Sequence, residues 1–378
     1  MTTKNAEQLL TTPEFLLTRT GRFLIAELLE PHLVLSTSFC NGGQVTHVRF
    51  LLNHQSCEGT DHGERHTVMM QNGLDGYHSQ ICADLGLDPA LVASLGTAAN
   101  MNYSVIKQAS DGPVTATAVV TAGVQGNATC AGDPVAWRET EQGWEKVSPL
   151  SGTINTLLFL NHSVSEAALA RGVMTITEAK SAALQRLAVR SLYSQDFATG
   201  TGTDQYAIAA PLAKGKPFTS ASTHVKLGEL IGTVVREAAL EALRWQNGLE
   251  PSTTRNLFHA LGCYGLVEAN FLAEIAPWLT ERELDLLKKN LKSVVYEPRV
   301  AAASFAMAAV LDRIRYGTLP ASVARDVFRQ YAATLATSLA AKPEAWPRYF
   351  EALSNADAEH PASTILSAIA LGWADKWR

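Results

Sequence analysis

The sequence predicts a mixed α/β or α+β fold, a mixed sheet with packed helices, joined to an all-helical C-terminal region. Three observations carry this reading. Apolar and polar side chains alternate through residues 21–56, as in half-buried strands. TINTLLFLN, Thr153 to Asn161, is a nearly continuous apolar run of strand length, which suits a strand buried on both faces. From about Pro251 strand patterns vanish, and Ala- and Leu-rich helical periodicity takes over, divided by Pro298, Pro320, Pro343, Pro347 and Pro361. The implied organisation is an N-terminal extension over 1–20, a catalytic domain over 21–250 and a helical domain or extension over 251–378.

The elements follow in order. Strands within 21–56 meet at CNGGQ, Cys40 to Gln44, whose glycines suit a hairpin or bulge. DPALVASLGTAANM, from Asp88, suggests a short helix feeding a loop. PVTATAVVTAG is β-branched and reads as a strand entering the loop VQGNATCAGD, while WRETEQGWEKVSPLSG is polar, turn-rich and superficial. After the TINTLLFLN strand, Ser163 and Glu166 have the spacing of a capping box for a helix reaching about Leu187. Gly172 weakens that helix by roughly 1 kcal/mol relative to alanine, less than its long apolar face contributes. QYAIAAP is a further strand, and Thr223 to about Trp245 a further helix, with Leu227, Leu230, Ile231, Val234 and Val235 on its buried side. In the helical region Trp278, Trp346, Trp373 and Trp377 offer large packing surfaces, either to cover the first domain or to build a homo-oligomer interface.

Bulk properties exclude several functions. The chain has 378 residues, 47% hydrophobic and 18% charged, with a formal charge of −5. That is a globular composition without a basic stripe to grip a phosphate backbone, so no nucleic-acid partner is expected. The N-terminus lacks the pattern of a secretory signal, and no apolar stretch approaches a membrane span. Five scattered cysteines, Cys40, Cys57, Cys82, Cys130 and Cys263, look like reduced cytoplasmic thiols. No metal site is expected. His54, His62 and His66 fit no compact zinc template and read as an exposed loop, and His259 and Cys263 read as packing residues.

The chemistry is most concentrated in ATGTGTD, Ala198 to Asp204. Its glycines allow close approach of a ligand, and Thr199, Thr201 and Thr203 can bond substrate oxygens or satisfy the loop's own backbone. Asp204 can polarise water or an amide, or cap a turn. Upstream, TEAK offers Glu178 as an acid–base group and Lys180 for developing negative charge, although i,i+2 neighbours on a helix point apart. Downstream, THVKLGE offers His224, Lys226 and Glu229; the last two also suit a simple surface pair. Asn127 and Asp133 in GNATCAGDP can bond an amide, while nothing nearby favours a Cys130 thiolate. Thr153, between Gly152 and the apolar strand, can attack a carbonyl if a base lies close.

The combination of VVTAGVQGNA (119–128), GTINTLLFLN (152–161), TEAKSAAL (177–184), ATGTGTD and THVKLGELIG (223–232) resembles the adenosylcobinamide amidohydrolase family over about residues 20–247. CNGG and LGTAANMN are compatible with it. The resemblance implies hydrolysis of the amide joining aminopropanol to a corrin ring in cobamide salvage, giving adenosylcobyric acid, with Thr153, Glu178, Asp204 and His224 as catalytic candidates. Asn127, Asn155, Lys180, Thr199, Thr201, Thr203, Lys226 and Glu229 are the candidates for holding the large, amide-bearing substrate. No cofactor is firmly implied, since the cobalt enters as part of the corrinoid substrate. GTIN, the following helix and TGTGTD are also similar, more faintly, to the ornithine acetyltransferase/DmpA architecture, whose nucleophile is a threonine or serine freed by autoproteolysis. That likeness implies Thr153 in the same role. The helical tail departs from the family core. It leaves open an amidohydrolase of another metal chelate, such as a siderophore, and a non-catalytic corrinoid-binding protein.

Overall fold

In the computed structural model, residues 6–57, 63–134, 137–141, 143–146 and 152–377 are described. The chain divides into two compact units, Met1–Leu249 and Glu250–Arg378. The first carries strands β1 (Glu7–Thr11), β2 (Phe15–Thr20), β3 (Phe23–Leu28), β4 (His32–Ser36), β5 (Gly43–Val45) and β6 (Phe50–Gln55), then helical segment α1 (Gly63–Leu85), whose two stretches meet at Gly73. It continues through β7 (Val92–Thr97), β8 (Val105–Asp111), β9 (Val114–Gly123), β10 (Ala128–Thr129), β11 (Trp137–Thr140), β12 (Gly143–Lys146) and β13 (Thr153–Leu160). Helix α2 (Glu166–Arg186), β14 (Gly200–Thr201), β15 (Gln205–Pro211) and α3 (Lys226–Asn247) complete it.

Two larger sheets result, ordered β1-β2-β3-β6-β7 and β5-β4-β15-β13-β9-β8. The first twenty residues supply β1 and β2, two strands of the five-stranded sheet. In the six-stranded sheet β13 lies centrally, parallel to β15 and antiparallel to β9. Every residue of β13 is buried, and the side-chain period of two sorts them. Ile154 and Leu158 join the core beneath α2 and α3, while Leu157 and Phe159 face the other sheet. There Phe159 stacks on Phe15 of β2 with ring centroids 3.9 Å apart. The outer face of the five-stranded sheet is covered by Tyr77, Ile81 and Cys82 of α1. The layer order is helices, sheet, sheet, helix. A one-residue slip of β13 would send Asn155 under the helices, so both cores fix its register.

Three local expectations change. Asp88 and Pro89 do start a helical turn, Pro89–Leu91, but Val92–Thr97 becomes strand β7 because it pairs in parallel with buried β6. Helix α2 is capped by Ser165, whose hydroxyl accepts from Ala168 N. Ser163 instead accepts from Lys214 N with its hydroxyl. His54 is no loop residue: it is buried in β6, stacks on Phe23 at 4.2 Å and shares a 3.2 Å hydrogen bond with the Tyr77 hydroxyl. His62, the His66 side chain and most of 142–151 lie outside the described residues.

The second unit is all-helical: α4 (Pro251–Thr254), α5 (Leu257–Leu261), α6 (Glu268–Ile275), α7 (Glu281–Val295), α8 (Pro298–Arg315), α9 (Ala321–Ala340), α10 (Trp346–Ala352) and α11 (Pro361–Lys376). Its core gathers Phe271, Met307, Phe328, Ile369 and Trp373, each fully buried large side chain contributing about 1.5–3 kcal/mol. Cys263 packs beside that core, and His259 meets the Phe305 ring edge-on. Among the described residues no single helix is long and apolar enough to cross a membrane; α7 and α8 reach that composition only together, bent by 77°.

Candidate active site

Three segments converge on the first residue of β13: the loop after β9, the late turns of α2, and residues 198–204 leading into β15. Topology explains the meeting. A helix that follows a strand starts at that strand's far end and runs back, so α2 returns towards Thr153 over roughly 20 Å. Lys180 arrives where β15 begins and meets Asp204 at 2.5 Å. Both side chains are mostly buried, 13% and 14% exposed. Asp204 Oδ1 also accepts from Ile154 N–H (2.8 Å) and the Thr201 hydroxyl (2.6 Å), and Oδ2 from Thr201 N–H (2.9 Å). Four donors fill the carboxylate's acceptor capacity. Asp204 therefore fastens the start of β13 to the threonine loop and leaves no lone pair to take a proton from substrate.

The small residues in ATGTGTD have a spatial reason. A Cβ on Gly200 would stand 2.2 Å from Asp204 Oδ2 and 2.6 Å from Lys180 Nζ, so only glycine lets this pair close over the backbone. Gly200 and Thr201 form β14, which pairs with β10 through Ala128↔Thr201 and Thr129↔Gly200. The Thr199 hydroxyl accepts from Ala131 N, tying the same two loops. Asp133 sits behind them. Burial raises its pKa, but hydrogen bonds from Ser191, Ser194, Cys130 N–H and Thr129 outweigh this and hold it below the ordinary carboxylate value. Its place is a loop anchor.

Thr203 turns towards Thr153. Their hydroxyl oxygens lie 2.6 Å apart, and the Thr203 hydroxyl donates to the Gly152 carbonyl at 2.6 Å. Asn127 Nδ2 donates to the same carbonyl at 3.2 Å. Gly152 has φ +138°, a conformation L residues rarely adopt, and an added Cβ would meet Gly123 O at 3.0 Å and Asn127 Cβ at 3.1 Å. The junction before β13 thus presents a carbonyl carbon flanked by a hydroxyl, with two donors on its oxygen. Oxyanion stabilisation requires that donor arrangement.

Two residues inward on the same face, Asn155 is fully buried between the sheets. Its Nδ2 donates to Asn53 Oδ1 (2.9 Å) and Gly96 O (3.0 Å), Asn53 Nδ2 to Thr121 Oγ1 (2.8 Å), and Gly96 N to Gln205 Oε1 (2.9 Å). This network floors the Thr153 end of the sandwich and ties the two sheets together. Asn127 Oδ1 and Asn155 Oδ1 find no donor among the described residues. Sequence reading missed Asn53, Thr121 and Gln205; a polar residue within the buried run FLLNHQ was the available signal.

The remaining candidates lie elsewhere. Glu178 is exposed on α2, turned away from its i+2 neighbour Lys180. His224, Lys226 and Glu229 stand at the start of α3, which follows β15 and so begins at the opposite end of the domain. All three are exposed, and Lys226 pairs with Glu229 at 2.6 Å. A cavity of about 310 Å³ between the sheets also lies at that opposite end, lined by Glu14, Gln108, Ser110, Thr117 and Asn161 among others. Among the described residues no group of three or more His, Cys, Asp or Glu is placed to hold a metal ion.

The chain is similar to several known proteins. An uncharacterized protein of Methanocaldococcus jannaschii, MJ1613, is 34% identical over 185 residues, covering 46% of this chain and 71% of that one. The crystal structure of the PH0078 protein from Pyrococcus horikoshii OT3 aligns over 63% of this chain and 81% of its own, at 12% identity and a TM-score of 0.29, too distant to inform the fold. The profile of the adenosylcobinamide amidohydrolase family matches residues 8–251, which include every segment of the site. The chain belongs to the adenosylcobinamide amidohydrolase family, and membership implies amidohydrolase activity.

Proposed function

We propose that this chain hydrolyses the amide joining aminopropanol to the corrin ring of adenosylcobinamide, with Thr153 as nucleophile, in a cytoplasmic cobamide-salvage role. The carrying observation is the Gly152–Thr153 junction, whose carbonyl accepts from both Thr203 and Asn127 beside the Thr153 hydroxyl. The DmpA-type part of the reading adds a first, self-directed turnover. Thr153 Oγ attacks the Gly152 carbonyl carbon, the C–N bond breaks, and the nitrogen takes the hydroxyl proton. Water then hydrolyses the resulting ester, leaving a Gly152 carboxylate and a free Thr153 amine.

That amine supplies what the intact site lacks. Asp204 and Lys180 are committed to each other, whereas an α-amino group titrates at about 7.7–8.0 and can accept the adjacent hydroxyl proton near neutrality. Thr153 Oγ attacks the substrate amide, and Asn127 and Thr203, released from Gly152, hold the oxyanion. The ammonium protonates the departing aminopropanol. Water cleaves the Thr153 ester to give adenosylcobyric acid. The cobalt remains part of the substrate throughout.

The test is incubation with adenosylcobinamide, and in parallel with amide-bearing siderophores, followed by mass spectrometry. Aminopropanol together with adenosylcobyric acid is the expected result. Siderophore cleavage alone would transfer the reading to another metal chelate, and binding without turnover would point to a non-catalytic corrinoid-binding protein. Intact-mass analysis reads the self-cleavage separately: an active, uncleaved chain excludes the freed Thr153 amine.

A further inference from the structure

Phe39 is 68% exposed, the most exposed of the large apolar side chains among the described residues of the first unit, yet its loop is firmly held. The Ser38 hydroxyl donates to Cys40 O (2.6 Å) and accepts from Ser94 N on β7 (2.8 Å). Asn41, with φ +52°, donates its amide to both Pro89 O and Val92 O at 2.8 Å. Cys40 Sγ contacts Asp75 Oδ1 at 3.2 Å, and Thr37 exchanges backbone and hydroxyl bonds with Tyr206. A loop tied to β7, β15 and α1 does not need an aromatic in water to hold its shape. Burying an apolar ring is favourable, so a rigid segment that displays one is organised to cover something.

Position says what. The loop leaves β4 at the end that pairs beside the start of β15, the end at which Thr153 opens β13. Sheet order places β4 two strands from β13, roughly 10 Å at normal strand spacing. On the other side β8 is also two strands from β13, and just before it Tyr103 is 42% exposed in a turn capped by the Asn100 side chain. In sheet order the strand of Thr153 thus lies midway between the strands flanking the two displayed aromatic residues. A small amide reaching Thr153 touches neither. A broad, flat, largely apolar substrate with its scissile amide on a peripheral arm touches both.

We infer that Phe39 packs against the apolar surface of a broad macrocycle whose amide arm reaches Thr153, with Tyr103 bounding the site on the β8 side. Phe39 is the dominant contact and determines selectivity for large over small amides. This rests on the corrinoid reading above. The test compares wild type, Phe39→Ala and Phe39→Trp on adenosylcobinamide and on the truncated amide N-(2-hydroxypropyl)acetamide. Phe39→Ala should raise KM for adenosylcobinamide roughly five- to tenfold, in line with loss of a packed aromatic ring, with kcat within about twofold. Phe39→Trp should restore KM, and any rate on the truncated amide should not change.

Unchanged KM in Phe39→Ala, with wild type active, overturns the Phe39 contact. A fall in kcat without a rise in KM overturns it equally, since that would mark a structural role. Wild type inactive on adenosylcobinamide defeats the underlying reading instead. The contact is then tested by equilibrium binding of cobyric acid to wild type and Phe39→Ala, where equal affinity overturns it.

Discussion

Replacing Asp204 by asparagine tests whether this carboxylate fastens the site. The substituted amide keeps one acceptor oxygen. If that oxygen retains Ile154 N–H and the Thr201 hydroxyl, the new NH2 group faces Lys180 Nζ and Thr201 N–H, both donors. The Lys180 side chain is 13% exposed, so its charge is left largely desolvated without a partner. Breaking one side of such a buried pair costs about 3–5 kcal/mol. Lys180→Met should cost less, about 1–3 kcal/mol, because Asp204 keeps three neutral donors. The double variant Asp204→Asn/Lys180→Met should recover part of the loss, a coupling of at least about 1 kcal/mol. Urea unfolding reads the stability, and residue-resolved hydrogen exchange by NMR at the Ile154 amide reads its bond to Asp204 directly. Asp204→Asn within about 0.5 kcal/mol of wild type, with unchanged Ile154 exchange, would refute the argument.

Three further outcomes follow from the same geometry. His224→Ala and Lys226→Ala, exposed at the opposite end of the domain, should leave kcat/KM for adenosylcobinamide within about twofold; a loss of tenfold or more would return α3's start to the site. Buried His32 has its pKa lowered by desolvation from the ordinary 6.5. The unfolded chain then binds the proton more readily, so stability is full above pH 6.5 and falls as pH drops towards the folded value. His32→Gln should flatten that slope in urea unfolding at several pH values, and an unaltered slope would contradict it. Burial, with help from Asp75, pushes the Cys40 thiol up to about 11, so alkylation at pH 8 should run on the order of 100-fold slower than for an ordinary thiol, measured by peptide mapping with iodoacetamide.

Much of the fold was legible where local pattern and tertiary environment agree. β13 announces itself because a strand buried on both faces is mostly apolar, and α3 because its buried positions repeat at helical spacing. β7 was not legible: Asp88 and Pro89 begin a turn of helix, and only pairing with β6, far along the chain, converts Val92–Thr97 into strand. The same holds for the site. The divergence of Glu178 and Lys180 follows from helix geometry alone, and Lys180 does face inward while Glu178 stays exposed. THVKLGE looked equally promising as a string of chemical groups. Its exclusion depends on which end of the domain α3 begins, a topological fact no local motif carries. The Asn53–Asn155–Thr121 network joins strands from both sheets, so its members look in sequence like isolated polar residues within apolar runs.

ATGTGTD, the most conspicuous motif, holds the loops around Thr153 together, and the proposed chemistry falls to that threonine. The most direct test is acid-quench mass spectrometry of the chain mixed with excess adenosylcobinamide in a single turnover. A transient adenosylcobyryl ester should form on the peptide that contains Thr153, absent in Thr153→Ala, and decay as adenosylcobyric acid appears. Turnover by Thr153→Ala at the wild-type rate, or an ester on any other residue, would contradict Thr153 as the nucleophile.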